Sequence, residues 1–258
     1  MEEFIIKRFI RNYGVVIILF IFVVLLLTVF SPIGKNIKEE IVDKVEDIRY
    51  IIHHKNNEDA SAGEQENFTS SATLVDGLTF NASIPDTAKT VIFTLEPVTY
   101  DAAYTTDLSA NKNGSILGYL VGDVYKISPK EAKTKIVANE SCQMMFQSKH
   151  NLTSVIFENF DVSSTADFNM MFYNMNNVST LDLSGFKIAN SVDLTSMFFD
   201  CQKLEFIDLS SADLTNATLD QMFDTMKGKT NSLIVKVKDR NTSKLFTDLP
   251  SYVSIIYD

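Results

Sequence analysis

Four Met-Phe pairs recur in the second half of the sequence at nearly constant intervals. They are Met145-Phe146, Met171-Phe172, Met197-Phe198 and Met222-Phe223, spaced 26, 26 and 25 residues apart. A second marker, two apolar residues separated by one position, keeps a 26-residue interval through Val155/Phe157, Leu181/Leu183, Ile207/Leu209 and Leu233/Val235. Two independent markers that stay in phase over four copies indicate a repeat protein.

Each copy is expected to form a helix followed by a short strand. Around Met197 the apolar residues follow a helical spacing, and Asp193 or Thr195 can cap the start of the helix. Between Leu204 and Leu209 the apolar residues alternate, which is typical of a strand. A copy this short cannot bury its apolar face alone, but neighbouring copies can cover one another. The sequence therefore predicts an α/β solenoid of helix-strand coils with a parallel sheet on one side.

The repeat resembles that of BspA-like leucine-rich-repeat surface proteins. The resemblance rests on the copies TSMFFDCQKLEFIDLSSA and NMMFYNMNNVSTLDLSGF and on the lead-in at 107–146, and it covers roughly residues 88–246. It implies a short leucine-rich-repeat-like stack in a bacterial cell-surface protein, whose relatives are associated with adhesion and with binding proteins of host or neighbouring cells. The last copy, NSLIVKVKDRNTSKLF, lacks the Asp-Leu-Ser signature, as expected of a terminal copy that caps the array.

Residues 14–33 contain the most apolar segment of the chain. Between Val15 and Phe30 only Thr28 is not strongly apolar, and no charged residue occurs between Arg11 and Lys35. This pattern predicts a single transmembrane helix. Residues 1–13 would then be cytoplasmic and the rest of the chain extracellular. A cleaved signal peptide is the alternative, although no small-x-small cleavage site follows the apolar core.

Three further segments separate this apolar stretch from the repeats. Residues 34–52 carry one apolar stripe and predict an amphipathic juxtamembrane helix, which either serves as a stalk or allows self-association through residues 35–52. Residues 53–73 are polar and predict a flexible linker. Residues 74–140 hold short β-prone runs and predict a β-rich unit that caps the solenoid of residues 141–258.

Within these segments, strands are expected at 90–95, 116–120 and 124–127, and the last two flank a Gly-containing hairpin link. At the other end of the repeats, residues 252–257 are expected to add an edge strand with Val253 and Ile255 facing inward.

Composition and motifs exclude several classes of function. The net charge of −10 argues against nucleic-acid binding, because phosphate backbones repel an acidic chain. The three His have no acid-base partner at a recognisable spacing, and the sequence contains no glycine-rich phosphate loop, HExxH or CxxC. We therefore expect the protein to be no enzyme and to bind no cofactor. No metal site is expected, because the His53-His54 pair has no third ligand nearby. Cys142 and Cys201 belong to coils two steps apart, which predicts two buried free thiols.

The candidate binding site is the set of outward side chains on the stacked strands. Outward apolar residues such as Phe206 have no folding role there, although Phe206 can also pack under a loop and Asp182 and Asp208 can be merely solvated. We expect this face to bind a protein on a host or neighbouring cell. Its residues are Ile156, Glu158, Thr180, Asp182, Phe206, Asp208, Ile234 and Lys236.

The predicted function is a membrane-anchored bacterial recognition or adhesion protein. The alternative is a pilin-like structural subunit, because the apolar and then amphipathic segment from Phe9 to Ile48 faintly resembles small Flp-type pilins. It departs from that pattern after Gly14, where Val15 to Leu19 lack the expected Glu.

Overall fold

The computed structural model describes residues 67–98, 104–188, 192–224 and 232–257, all within a compact unit that begins at Glu66. The elements within these ranges are, in chain order, β1 (Ser70–Thr73), α1 (Gly77–Ser83), β2 (Thr90–Phe93), β3 (Thr106–Asp107), β4 (Ile116–Val121), β5 (Val124–Pro129), β6 (Thr134–Val137), β7 (Ser154–Phe157), β8 (Thr180–Asp182), β9 (Phe206–Leu209), β10 (Leu233–Val237), α2 (Arg240–Ser243) and β11 (Val253–Tyr257).

The strands form three sheets, of two, five and four strands. Their orders are β1-β6, β3-β4-β5-β2-β7 and β11-β10-β9-β8. All neighbours are parallel except β3-β4 and β4-β5. The predicted β4-β5 hairpin is confirmed, and Gly122 at its turn has a φ of 63°, a value that Gly adopts without steric cost. β1 lies inside the range that was predicted to be a flexible linker.

The prediction of an α/β solenoid of helix-strand coils is wrong. The Met-Phe segments are turns, and within the described ranges the only two helices have 7 and 4 residues beside three β-sheets. Met144 and Ser148 have φ values of 56° and 57°, and Met170 and Asn174 repeat this pattern at 54° and 59°. A positive φ interrupts a right-handed helix, so the apolar spacing around each Met-Phe pair does not produce one.

Hydrogen bonds between copies replace those that a helix would make within each copy. The Phe146 N–H donates to Met171 O at 2.8 Å, and Phe172 N–H donates to Met197 O at 2.9 Å. In the next copy, Phe198 N–H donates to Met222 O at 3.0 Å. Each turn therefore depends on the following copy for its backbone partners, which satisfies donors that would otherwise be buried and unpaired.

The core runs through all copies. Met145, Met171, Met197 and Met222 are all buried. Beside them the rings of Phe146, Phe172, Phe198 and Phe223 form a column, with successive centroids 5.4, 5.5 and 5.8 Å apart and nearly parallel planes. Aromatic pairs at these distances contribute about 0.5–1.5 kcal/mol beyond the area they bury.

Both ends of the Phe column are covered. At the first copy, Phe80 on α1 meets Phe146 edge-on at 5.7 Å. Gly77 begins α1 so close to the first Met-Phe turn that an added Cβ would lie 2.3 Å from Gln143 O, which only Gly avoids. At the last copy, Phe246 lies 5.8 Å from Phe223.

The predicted single-pass location in the cell membrane is contradicted. Over the ranges that the structure describes, no helix combines the length and the apolar character needed to cross a membrane. The segments for which the transmembrane helix and the amphipathic helix were predicted, residues 14–33 and 34–52, lie outside the described residues, as do residues 53–66 of the predicted linker.

Candidate functional site

Six of the eight predicted binding residues lie in two rows across β8, β9 and β10. In the first row Thr180 pairs with Phe206, which pairs with Ile234. In the second row Asp182 pairs with Asp208, which pairs with Lys236. The side chains between the rows, such as Leu181, Ile207 and Val235, are buried, so both rows lie on the outward face of the sheet. We call these six residues the outer face.

The step from β9 to β10 is shifted relative to the sequence repeat. The 26-residue interval would pair Ile207 with Leu233, but Ile207 pairs with Val235. The shift of two residues keeps the inward and outward alternation intact, because the side-chain period of a strand is two. It places Lys236 beside Asp208, so opposite charges lie next to each other in the second row.

The apolar part of the outer face is formed by Phe206 and Ile234. Phe206 is half-buried, and Ile234 is 40% exposed. The hydrophobic core of the described residues includes neither of them. Outward apolar side chains that lie side by side and do not belong to the core are typical of a docking surface rather than of a folding requirement.

The two Asp residues of the outer face also close local turns. Asp182 Oδ1 accepts a hydrogen bond from Ser184 N–H at 3.0 Å, and Asp208 Oδ1 accepts one from Ser210 N–H at 2.8 Å. This geometry is an Asx turn, which ends each strand. The Asp and the Ser of the Asp-Leu-Ser signature therefore have a structural role, because together they form this turn.

Ile156 and Glu158 lie outside the outer face. Ile156 pairs with Ile92 in the five-stranded sheet, and Glu158 N–H donates to Phe93 O at 3.0 Å. Both are half-buried. β7 and β8 lie in contact but are not paired as strands, so Ile156 and Glu158 do not belong to the hydrogen-bonded rows formed by the other six.

Sequence reasoning missed two residues that extend the rows. β11 pairs with β10 so that Ser254 lies beside Ile234 and Ile256 lies beside Lys236. Ser254 is exposed and Ile256 is 45% exposed, whereas Val253 and Ile255 pack against the core, as predicted for this strand. The alternation of inward and outward residues in Val253–Tyr257 could have identified Ser254 and Ile256 from the sequence.

The described residues offer little for catalysis or metal binding. No group of three or more His, Cys, Asp or Glu side chains within them is placed to hold a metal ion. Cys142 and Cys201 are buried and free, and burial raises the pKa of the Cys142 thiol to about 12, which keeps it protonated and unreactive. That the chain is neither an enzyme nor a cofactor protein stays a prediction.

The outer face falls inside a segment that matches a known family. Residues 129–237 are similar to a family described as "Mycoplasma protein of unknown function, DUF285". The match begins at the last residue of β5 and ends at the last residue of β10, and it spans less than half of the 258-residue chain. No curated protein and no solved structure matches the chain. A Mycoplasma family is compatible with a bacterial protein.

Proposed function

We propose that this chain is a bacterial recognition or adhesion protein that binds a protein partner through the outer face. The observation that carries the proposal is the pair Phe206 and Ile234, which lie side by side on adjacent strands and point away from the core. An aromatic anchor with an aliphatic neighbour is the usual centre of a protein-binding surface.

The charged row gives the outer face a polar border. Asp182 is exposed at one end of this row, and Asp208 and Lys236 are half-buried beside each other. A polar rim of this kind fixes the orientation of a partner, while the desolvated apolar centre supplies most of the affinity. The paired carboxylates of Asp182 and Asp208 favour a partner that presents a basic side chain to this edge.

The parallel pairing makes the outer face a rigid platform. Neighbouring strands hold the side chains of one row about 4.8 Å apart. Because β9 is hydrogen-bonded on both sides, Phe206 has little freedom to move relative to Ile234. A partner therefore meets a preorganised surface and loses less conformational entropy on binding.

Site-specific photocrosslinking tests the proposal. A photoreactive phenylalanine at Ile234 should capture a specific protein from a suspension of host or neighbouring bacterial cells. The same group at Leu78, which is 54% exposed on the helix α1 and does not belong to the outer face, serves as the control. Identical adducts at both positions would show non-specific binding and would contradict the outer face as the binding site.

A second arm separates binding from folding. Phe206→Ala in the Ile234 crosslinking protein should reduce the specific adduct about tenfold or more, because it removes the aromatic anchor. Asp208→Asn keeps an oxygen for the turn with Ser210 and removes only the charge, so it should weaken capture by a smaller factor. Unchanged capture by Phe206→Ala, with an unchanged unfolding temperature, would refute the proposal.

A further inference from the structure

β11 is an edge strand whose outer side has no strand partner among the described residues. It is the first strand in the order β11-β10-β9-β8, and only β10 pairs with it. Leu233 N–H donates to Tyr252 O at 2.8 Å, so the alternate residues Ser254 and Ile256 direct their backbone groups to β10. The backbone groups of the residues between them point to the open side.

Most of the backbone groups on this open side are available. Val253 N–H already donates to Pro250 O at 2.9 Å. The remaining groups are the C=O of Val253 and both the N–H and the C=O of Ile255 and Tyr257. A row of unpaired donors and acceptors on a strand is a template for another strand.

Nothing in the sequence of β11 opposes such pairing. Val-Ser-Ile-Ile-Tyr contains no charge, no Gly and no Pro, which are the residues that usually protect an edge. By contrast, one edge strand of the five-stranded sheet, β3, has only two residues and ends at Asp107. The opposite edge of the four-stranded sheet, β8, has three residues and ends at the exposed Asp182.

We infer that β11 pairs with β11 of a second copy of this chain, antiparallel and centred on Ile255. Each copy then donates Ile255 N–H to Ile255 O of the other, and Tyr257 N–H to Val253 O of the other. The Val253 N–H that this arrangement does not use is the one that Pro250 already satisfies. Every free group of the edge except the Tyr257 C=O, whose partner would be the Val253 N–H, thus finds a partner in this register.

The side chains support the same register. Antiparallel pairing about Ile255 places Val253 opposite Tyr257 of the other copy, and β-branched and aromatic side chains favour each other across strands. Tyr257 is 46% exposed, and Val253 and Ile255 are half-buried, so pairing completes the burial of all three. The contact has twofold symmetry, which closes after two copies.

Disulfide trapping tests the register directly. Full-length Ser254→Cys and Ile256→Cys proteins are purified separately in detergent, because residues 14–33 are apolar, and are then oxidised alone and as a mixture. In the inferred register position 254 faces position 256 of the other copy, whereas positions of the same number lie about 7–8 Å apart on the diagonal, too far for an unstrained disulfide. The mixture should therefore give about tenfold more disulfide-linked dimer than either protein alone.

The native thiols do not interfere with this measurement, because Cys142 and Cys201 are buried. Tyr257→Pro in both proteins provides the blocking variant. It removes one donor from each copy and breaks no bond to β10, so it should lower the dimer yield about tenfold. Leu78→Ala, which removes an exposed apolar side chain on α1 and touches no residue of β11, is the control and should leave the yield unchanged.

Two results would overturn the inference. One is the absence of a dimer in the mixture. The other is equal dimer in the mixture and in the single proteins, which would show contact through another part of the chain. Neither result bears on capture at Ile234, so the failure of self-pairing and the failure of the proposed function are distinguishable.

Discussion

The rings of Phe146 and Phe172 lie parallel, with centroids 5.4 Å apart and an angle of 0° between their planes, although 26 residues of chain separate them. Phe198 continues the arrangement at 5.5 Å from Phe172 with planes 3° apart. Identical side chains at the same position of successive copies can stack in this way only if the copies lie in register. The stacking of these Phe rings therefore shows that the Met-Phe turns of successive copies lie in register.

Replacing the central ring should strongly destabilise the fold. Phe172 is fully buried between Phe146 and Phe198, so Phe172→Ala should lower the free energy of unfolding by about 3–5 kcal/mol, measured by urea denaturation. Phe199 stacks on Tyr173 at 5.1 Å but is half-buried, so Phe199→Ala is the control and should cost about 1 kcal/mol. Equal losses at the two positions would contradict the assignment of the column to the core.

Substitution at a left-handed position should report on the turn conformation. Gln221 is exposed and has a φ of 53°, the same geometry that Met144, Met170 and Ser196 adopt in the preceding copies. Gln221→Gly should raise the free energy of unfolding by up to about 1 kcal/mol, because Gly adopts this φ without steric cost. Gln221→Val should lower it by about 1–2 kcal/mol. Were the segment a helix, Gly would be the more destabilising of the two.

The stability contributed by Asp161 should depend on pH. Burial raises the pKa of Asp161, but hydrogen bonds from Ser163 and Lys135 outweigh burial and lower the pKa below its ordinary value. A carboxyl group with a lowered pKa contributes stability that is present above its unfolded pKa, about 3.9, and is lost as the pH falls through the folded value.

Asp161→Asn tests this dependence. Because the side chains of Lys135 and Asp161 are 37% and 27% exposed, the substitution should lower the free energy of unfolding by no more than about 1 kcal/mol at pH 7. The difference from the parent protein should shrink toward zero in acid denaturation series that run below pH 4. Lys135→Gln, which leaves the Ser163 bonds in place, should cost less at pH 7. A difference that does not vary with pH would contradict the role of the charge.

The buried thiols should resist alkylation until the protein unfolds. Burial raises the pKa of Cys142 to about 12, and Cys201 Sγ donates to Phe172 O at 3.0 Å inside the core. At pH 8 iodoacetamide should leave both thiols unmodified in the native protein and modify both in 6 M guanidinium chloride, as read by intact mass. Rapid modification under native conditions would show that this part of the core opens.

The sequence was sufficient for the period of the repeat and for most of the strands. Alternation in Phe206–Leu209 and in Val253–Tyr257 predicts which side chains face inward, because that property depends only on the geometry of an extended chain. The Met-Phe turns were not predictable in the same way. Left-handed residues at Met144 and Ser148 bring apolar side chains together at a spacing that resembles that of a helix, and neither residue is a Gly that would have signalled the turn.

The candidate site was predictable in its rows but not in its limits. The two-residue shift that places Lys236 beside Asp208 arises between strands that the repeat period alone would pair differently. The absence of strand pairing between β7 and β8, which keeps Ile156 out of the paired rows, leaves no mark in the spacing of the copies. Both are properties of how neighbouring copies meet rather than of any one copy.

The Met-Phe turns have a consequence for how such a chain changes length. Since Phe146, Phe172 and Phe198 each bond to the copy that follows, the Met-Phe turn of one interior copy presents the same backbone donors and acceptors as the turn of the next. Deleting or duplicating one whole period leaves matching junctions on both sides, and the ends covered by Phe80 and Phe246 stay as they are. A change of length by one 26-residue period would thus preserve the Met-Phe turns and the covers at both ends of the Phe column.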